Sequence, residues 1–530
     1  MRKKLLTTSI VLASFVYMYA GDLVTNTNQN VTFLRNPARG ASTEIDAAYT
    51  NPAGLAFLKK DGFFLSLNNQ SAFQTRTVTA DFAPFAGFGG DATKAFEGKA
   101  TAWVVPNLQA AYKTGKWAFS ANIGIVGGGG TLDFSKGIPS FESPVAENIA
   151  TLSTAANMPT SYTLDSRVKG TQIIYGIQLG ATYKISENLS AYLGARASIV
   201  QNKYEGYLRN VQLSAKDNLT KYFTTASATA RGASASLQPA VDLGYGGASL
   251  NQLVALGALP QALLDQMAAG LGKPSAEVGA LTVNQAITTF NGLAQQADGA
   301  VAGINQLSAL NMQLNCNQNG FGVAPIIGFD FNWNGLNVGV KYEFKTVVNV
   351  KNKTANFPAG MDGLEAFKDG VSVPNDIPAM LAIGAKYDII KPLTVSVGYH
   401  HFFDSNARMV DTNNQYKQQY INGGVNEYLA GLEYRISKMF LVSCGTQITR
   451  PGLKDAYFSD LSFDVNSISY GLGGAIDITK NIRVNLAYLF TNYGNRNVGG
   501  DIGFSETLPL KIDTYTRTNH CFGIGLDFSF

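Results

Sequence analysis

Apolar and polar residues alternate with a period of two along most of the chain beyond Asp61. In 336–344 the even positions are Leu, Val, Val, Tyr and Phe, and Asn, Gly, Lys and Glu fall between them. Ile482, Val484, Leu486, Tyr488 and Phe490 repeat the pattern, as do Leu393, Val395, Val397 and Tyr399. This period is that of a strand with one apolar face. Fourteen candidate strands result, at about 62–83, 98–113, 116–131, 162–184, 188–209, 319–333, 335–352, 372–388, 392–409, 424–436, 438–450, 464–478, 481–494 and 513–530. Their connections alternate between tight turns and long loops, the latter around 90, 145, 260, 360, 415, 457 and 503. All tight turns then fall at one end of the sheet, and an even strand number lets it close without an exposed edge.

Two segments escape the alternation. Residues 21–60 precede the first strand and carry the triplets Asn36-Pro37-Ala38 and Asn51-Pro52-Ala53. They are too few for a domain and too poor in charge for a solvated tail, so they are expected inside the barrel as a plug. Residues 210–316 form an insertion of helical character: Thr282 and Gln285 have capping-box spacing, and Pro260 interrupts an apolar repeat around it. The insertion lies on the long-loop side, and between Phe223 and Cys316 it holds six charged residues. Its apolar faces are therefore expected to pack on one another or on the barrel rim.

Composition removes the soluble alternatives. Charged residues are 15% of the chain, against roughly 25% in soluble domains. Beyond residue 20 no apolar stretch reaches the roughly 18 residues of a spanning helix. A transmembrane β-barrel has this composition, because its lipid-facing and lumen-facing residues cancel in any average. Residues 1–20 read as a signal peptide: Arg2, Lys3 and Lys4, then an apolar run to Tyr19 and small Ala20. Removing its three basic residues leaves a net charge near +1, which gives no electrostatic case for nucleic acid. The location implied is the outer membrane of a Gram-negative bacterium.

No Gly-x-Ser-x-Gly elbow accompanies His400, His401 or His520, and Gly127 to Gly130 lack the Lys-Ser/Thr ending of a phosphate loop. An enzyme is not expected, nor a metal or cofactor. Cys316, Cys444 and Cys521 are too scattered for a disulfide framework, with Cys316 at the end of the insertion. The final strand, Phe522 to Phe530, ends on an aromatic residue, as do the segments read by the barrel assembly machinery.

The chain resembles the FadL/TodX-type (OmpP1/FadL/TodX) outer-membrane transporters. The resemblance rests on Asn51-Pro52-Ala53-Gly54-Leu55-Ala56 before the first strand, Ile377 to Tyr387 and Tyr428 to Arg435. It implies a fourteen-stranded barrel plugged by its N-terminal hatch and passive uptake of long-chain fatty acids or other hydrophobic compounds, such as aromatic hydrocarbons. It also implies a kinked third strand, near residues Gly124, Gly127, Gly128, Gly129 and Gly130, with the hatch triplet close to the lateral opening it leaves. Such a barrel would work as a monomer among outer-membrane lipids and lipopolysaccharide. Haem capture and a structural or adhesin barrel are the alternatives. Arg196, Lys341, Lys345 and Arg435 are candidate lumen cations for a carboxylate, unless Glu343, Glu427 and Glu433 neutralise them.

Overall fold

The computed structural model describes residues 23, 30–87, 89–357, 364–500 and 511–530. The leader predicted at 1–20 and the crests of the loops around 360 and 503 lie outside the described residues. In chain order the strands are β1 (Gly62–Asp81), β2 (Thr93–Thr114), β3 (Trp117–Phe134), β4 (Tyr162–Lys184), β5 (Leu189–Leu213), β6 (Asn311–Trp333), β7 (Leu336–Glu343), β8 (Asn349–Asn356) and β9 (Ser372–Pro374). They continue with β10 (Met380–Ile390), β11 (Leu393–Phe402), β12 (Asn426–Arg435), β13 (Phe440–Arg450), β14 (Ser467–Asp477), β15 (Ile482–Tyr493), β16 (Arg496–Gly500) and β17 (Lys511–Ser529). All pairings are antiparallel, and β17 returns to β1 from Phe64↔Ser529 to Asp81↔Ile512, which closes the sheet. Three staves are each made of two segments: β7 with β8, β9 with β10, and β15 with β16. The result is a closed barrel of fourteen staves.

The interruptions correct the expected limits. The segment expected at 335–352 breaks after Glu343, and that at 372–388 breaks between Pro374 and Met380. Pro374 and Pro378 have no N–H for the ladder, and the break is spanned by a Thr346↔Ile377 bridge and by the Asn375 amide, which donates to Val348 O at 2.9 Å. Conversely, β2, β5 and β6 run beyond their expected ends, because strands that rise clear of a membrane need no apolar face. The insertion is therefore 214–310, and Cys316 sits buried on β6 rather than at a loop end.

Which face is apolar separates a membrane barrel from a soluble one. On β7 the polar Asn337, Lys341 and Glu343 are buried, while Leu336, Val338 and Val340 are less so. Leu193, Phe321 and Leu472 are 67%, 61% and 63% exposed on the outside. A polar interior inside an apolar exterior is the inverse of a soluble core and fits lipid. At the tight-turn end Tyr112, Trp117, Tyr183, Trp333, Tyr387, Tyr434 and Phe530 are exposed. Such an aromatic rim marks a membrane–water boundary.

Helices lie at two levels. Short α1 (Val31–Arg35) and α2 (Ala47–Thr50) are buried within the barrel. At the long-loop end, α3 (Pro139–Ala156) packs through Phe141, Val145, Ile149 and Leu152, and the amide of Ser140 donates to Asp460 Oδ2 at 2.7 Å. The insertion folds as α4 (Lys216–Asp242), α5 (Leu250–Ala255), α6 (Gln261–Leu271), α7 (Ser275–Gly279) and α8 (Val283–Ser308). The expected capping box is formed: Thr282 Oγ1 accepts from Gln285 N, and Gln285 Oε1 accepts from Thr282 N. Antiparallel α4 and α8 join α3 through Leu219, Phe223, Ile304 and Leu307, whereas the distal helices have a core of their own around Leu253, Leu264 and Met267. No described helix is long and apolar enough to cross a membrane.

Candidate functional site

Two clusters of contacts stand out among those that fasten the plug to the wall. Arg35 Nη1 donates to Glu433 Oε1 at 2.5 Å and to Ser443 Oγ at 2.6 Å, and Arg39 Nη1 donates to Glu433 Oε2 at 2.9 Å. Arg39 also pairs with Asp46 at 2.6 Å and with Glu44 at 3.1 Å. Glu44 in turn meets Arg483 at 3.0 Å, and Arg483 meets Asp477 at 2.6 Å. Burial would raise the Glu44 carboxyl, but Arg483, Arg39, Arg35 and Lys386 outweigh it and hold the group well below the usual carboxylate range.

The second fastening is the hatch triplet. Asn51 Nδ2 donates to Asp330 Oδ2 and to Ser42 O, and Asn337 Nδ2 reaches the same Asp330 oxygen at 2.8 Å. Thr182 and Ser190 donate to the carbonyls of Pro52 and Ala53, both at 2.7 Å. The other triplet sits across the lumen: Asn36 Nδ2 donates to Ser396 Oγ at 3.2 Å, and a Cβ on Gly431 would lie 1.8 Å from Asn36 Oδ1. The wall also approaches the plug backbone at Gly384, where a Cβ would lie 2.3 Å from Gly40 C. Glycine is required at both places by contact rather than by backbone conformation.

The four candidate cations are not one group. Arg196 donates to both oxygens of Glu343, at 2.7 and 2.8 Å, and Lys341 donates to Glu343 Oε1 and Tyr49 O, each at 2.7 Å. Both line a small pocket of about 60 Å³ together with Arg39, Tyr49 and His400. Lys345 instead bonds Asn406 O, 3.9 Å from Asp376, and Arg435 pairs with Asp477 at 2.8 Å. Glu433 is taken by the plug, and His400 Nδ1 lies 2.9 Å from Glu427 Oε2.

Next to this pocket, sharing Phe33 and Glu427 with it, is a cavity of about 310 Å³. It reaches a seam in the wall. β2 and β3 pair from Thr114↔Trp117 to Asn107↔Gly124, then not again until Ala100↔Leu132. Among the described residues, 101–106 of β2 and 125–131 of β3 have no ladder partner across the seam. Both strands bulge there. β3 shifts register against β4 between Ile125 and Gly127 and between Gly128 and Gly130, and β2 shifts against β1 at Gln70/Ala72. Gly128 has φ +68°, open to glycine at little cost. From β1, Ser71 Oγ donates to Trp103 O of β2 at 2.6 Å, and Asn69 Oδ1 accepts from Val105 N of β2 at 3.0 Å. The Trp103 side chain is turned outward, 69% exposed, and its ring meets Phe73 edge-on at 5.0 Å.

Two sequence expectations are corrected here. Gly124 is still paired on both sides, so it bounds the seam rather than lying within it. Ile125 is buried although Ile123 before it is exposed, because the register shift beginning there reverses the alternation. The hatch triplet is held by β4 to β7; the plug residue packed with Val126 of the kinked strand is Tyr49. Neither Asn69 nor Ser71 stood out in the sequence, since polar residues on a strand are ordinary until the neighbouring strand bulges against them.

No family model and no curated protein matches the chain. Among solved structures it is similar to a Pseudomonas aeruginosa FadL homologue at 12% identity and TM-score 0.57, covering 96% of this chain and 100% of that one. The P. putida toluene transporter TodX aligns at 16% identity and TM-score 0.47, over 92% and 95% of the two chains. The chain has the FadL-type fold, a fourteen-stranded antiparallel barrel with its N-terminal segment plugging the lumen.

Proposed function

We propose that the chain is a passive outer-membrane conduit for hydrophobic compounds. Solute is collected at the long-loop end, held in the lumen cavity and released sideways through the β2–β3 seam into the membrane. The observation that supports this best is the coincidence of the unpaired seam with the cavity: Ala102, Val105, Gly128 and Gly130 belong to both, and the paired Ala100 and Leu132 border it. A lateral path keeps an apolar solute out of water, and the two plug fastenings oppose passage straight through. The barrel works as a monomer among lipid and lipopolysaccharide, inserted by the barrel assembly machinery through β17.

The cation geometry bears on the solute class. Arg196 and Lys341 already share Glu343, so a fatty-acid carboxylate would have to compete with a carboxylate in place. Uncharged compounds such as aromatic hydrocarbons face no such competition. The test is uptake of labelled toluene and labelled palmitate by Gram-negative cells lacking their own channels for these solutes. Saturable uptake of either, dependent on the chain, supports the reading. A heat-modifiable barrel in the outer-membrane fraction with no uptake of either overturns it.

A further inference from the structure

The cavity has two dissimilar walls. The side formed by β1, β12 and β17 carries Arg76, Glu427 and Arg517. Where β2, β3 and β4 line it, the residues are small, apolar or neutral polar, and none of those described is charged. Gln172 stands out there. It lies on β4 directly opposite Gly130, and a Cβ on Gly128 would fall 2.0 Å from its carbonyl oxygen. Its neighbour Thr171 is occupied, its hydroxyl 2.7 Å from that of Thr131. The Gln172 Nε2 atom is buried and has no hydrogen-bond partner among the described residues.

A buried amide N–H without an acceptor is costly and is normally satisfied. We infer that Gln172 is a specificity-determining residue at the exit, donating to a neutral oxygen of the passing solute. The solute class is then an apolar molecule bearing a carbonyl, ether or hydroxyl group. An ionised acid finds no countercharge on this wall and leaves through it poorly, because stripping water from an unpaired charge is unfavourable. This rests on the conduit reading above.

The experiment compares uptake of dodecane, 2-dodecanone and dodecanoate at pH 8 by cells carrying the wild-type chain or Gln172→Leu. Leu removes the donor while leaving an apolar side chain in the wall. Wild type should take up 2-dodecanone faster than dodecanoate. In Gln172→Leu, ketone uptake should fall about fivefold, the scale of one neutral hydrogen bond, with dodecane uptake unchanged. Equal loss of ketone and alkane would make Gln172 a part of the wall alone, and unchanged ketone uptake would remove its role. Both outcomes overturn the inference while leaving the conduit reading intact. Failure of wild type to take up any of the three would sink both.

Discussion

Glu433 holds two plug arginines at once, and the side chains of Arg35 and Arg39 are almost wholly buried. Replacing it by Gln leaves buried positive charge undercompensated, which costs about 3–5 kcal/mol when a buried pair is broken. Glu433→Gln should expose Arg35 and Arg39 to trypsin while the barrel keeps its heat-modifiable gel mobility; continued protection would show that the remaining plug–wall contacts, such as Glu44–Arg483 and Asn51–Asp330, hold the plug without it. Lys59, basic like them, is exposed and does not report on the plug. A second residue-scale prediction concerns the loop after β11. Asp404 is fully buried there, with Val425 N donating to one of its oxygens at 3.0 Å and no partner on the other among the described residues. Burial pushes its carboxyl up to about 6 from the usual 3.8. The folded loop thus holds the proton more tightly than an unfolded one does. The stabilisation is complete below pH 3.8 and is lost as pH rises through 6, a swing of about 3 kcal/mol. Amide exchange in 403–425, corrected for intrinsic rates, should be slower at pH 5 than at pH 7.5, and Asp404→Asn should flatten that difference. An unchanged difference in the variant would assign it to another group.

Elements were legible where one local signal dominated. Alternation located all fourteen staves, and the capping box at Thr282 marked the start of α8. Helix α3 was not legible, because Pro139 and Pro144 read as loop residues, although Pro139 occupies the first helical turn where its missing N–H costs nothing. Its stability comes from burial against residues as remote as Phe82 and Phe223, which no local window contains. The same packing yields a prediction for the insertion. Since its distal helices have a separate core, replacing 216–308 by a short Gly-Ser linker should leave the barrel assembled. It should also strip Leu219, Phe223, Ile304 and Leu307 from α3, raising amide exchange there and slowing uptake at low solute concentration. If exchange in α3 stays unchanged, the rim beneath it supports that helix without the hairpin.

At the scale of the whole molecule, the seam has causes that no single stretch of sequence displays. The glycine run marked β3, yet the seam equally needs the β2 bulge, and that depends on Asn69 and Ser71 of a third strand. Charge pairing between plug and wall was equally out of reach, since its partners lie far apart in sequence and meet only after closure. The structure also decides how a lateral path can be tested. Rebuilding β3 with valine would fail for an unrelated reason: Gly128 has a positive φ, and its added Cβ would lie 2.0 Å from Gln172 O. A staple across the seam avoids this. A Cβ on Gly130 would lie 3.9 Å from Ala102 Cβ, within the roughly 3.5–4.5 Å of disulfides. Ala102→Cys with Gly130→Cys, in a background where exposed Cys444 is Ser, should join β2 to β3 under oxidation. Uptake of a labelled apolar solute should then drop to the level of cells lacking the chain and return with a reductant, the barrel's gel mobility being the same in both states. Full uptake through the oxidised barrel would close the lateral route and require the solute to pass the plug, in which case Glu433→Gln, not the staple, would change the rate.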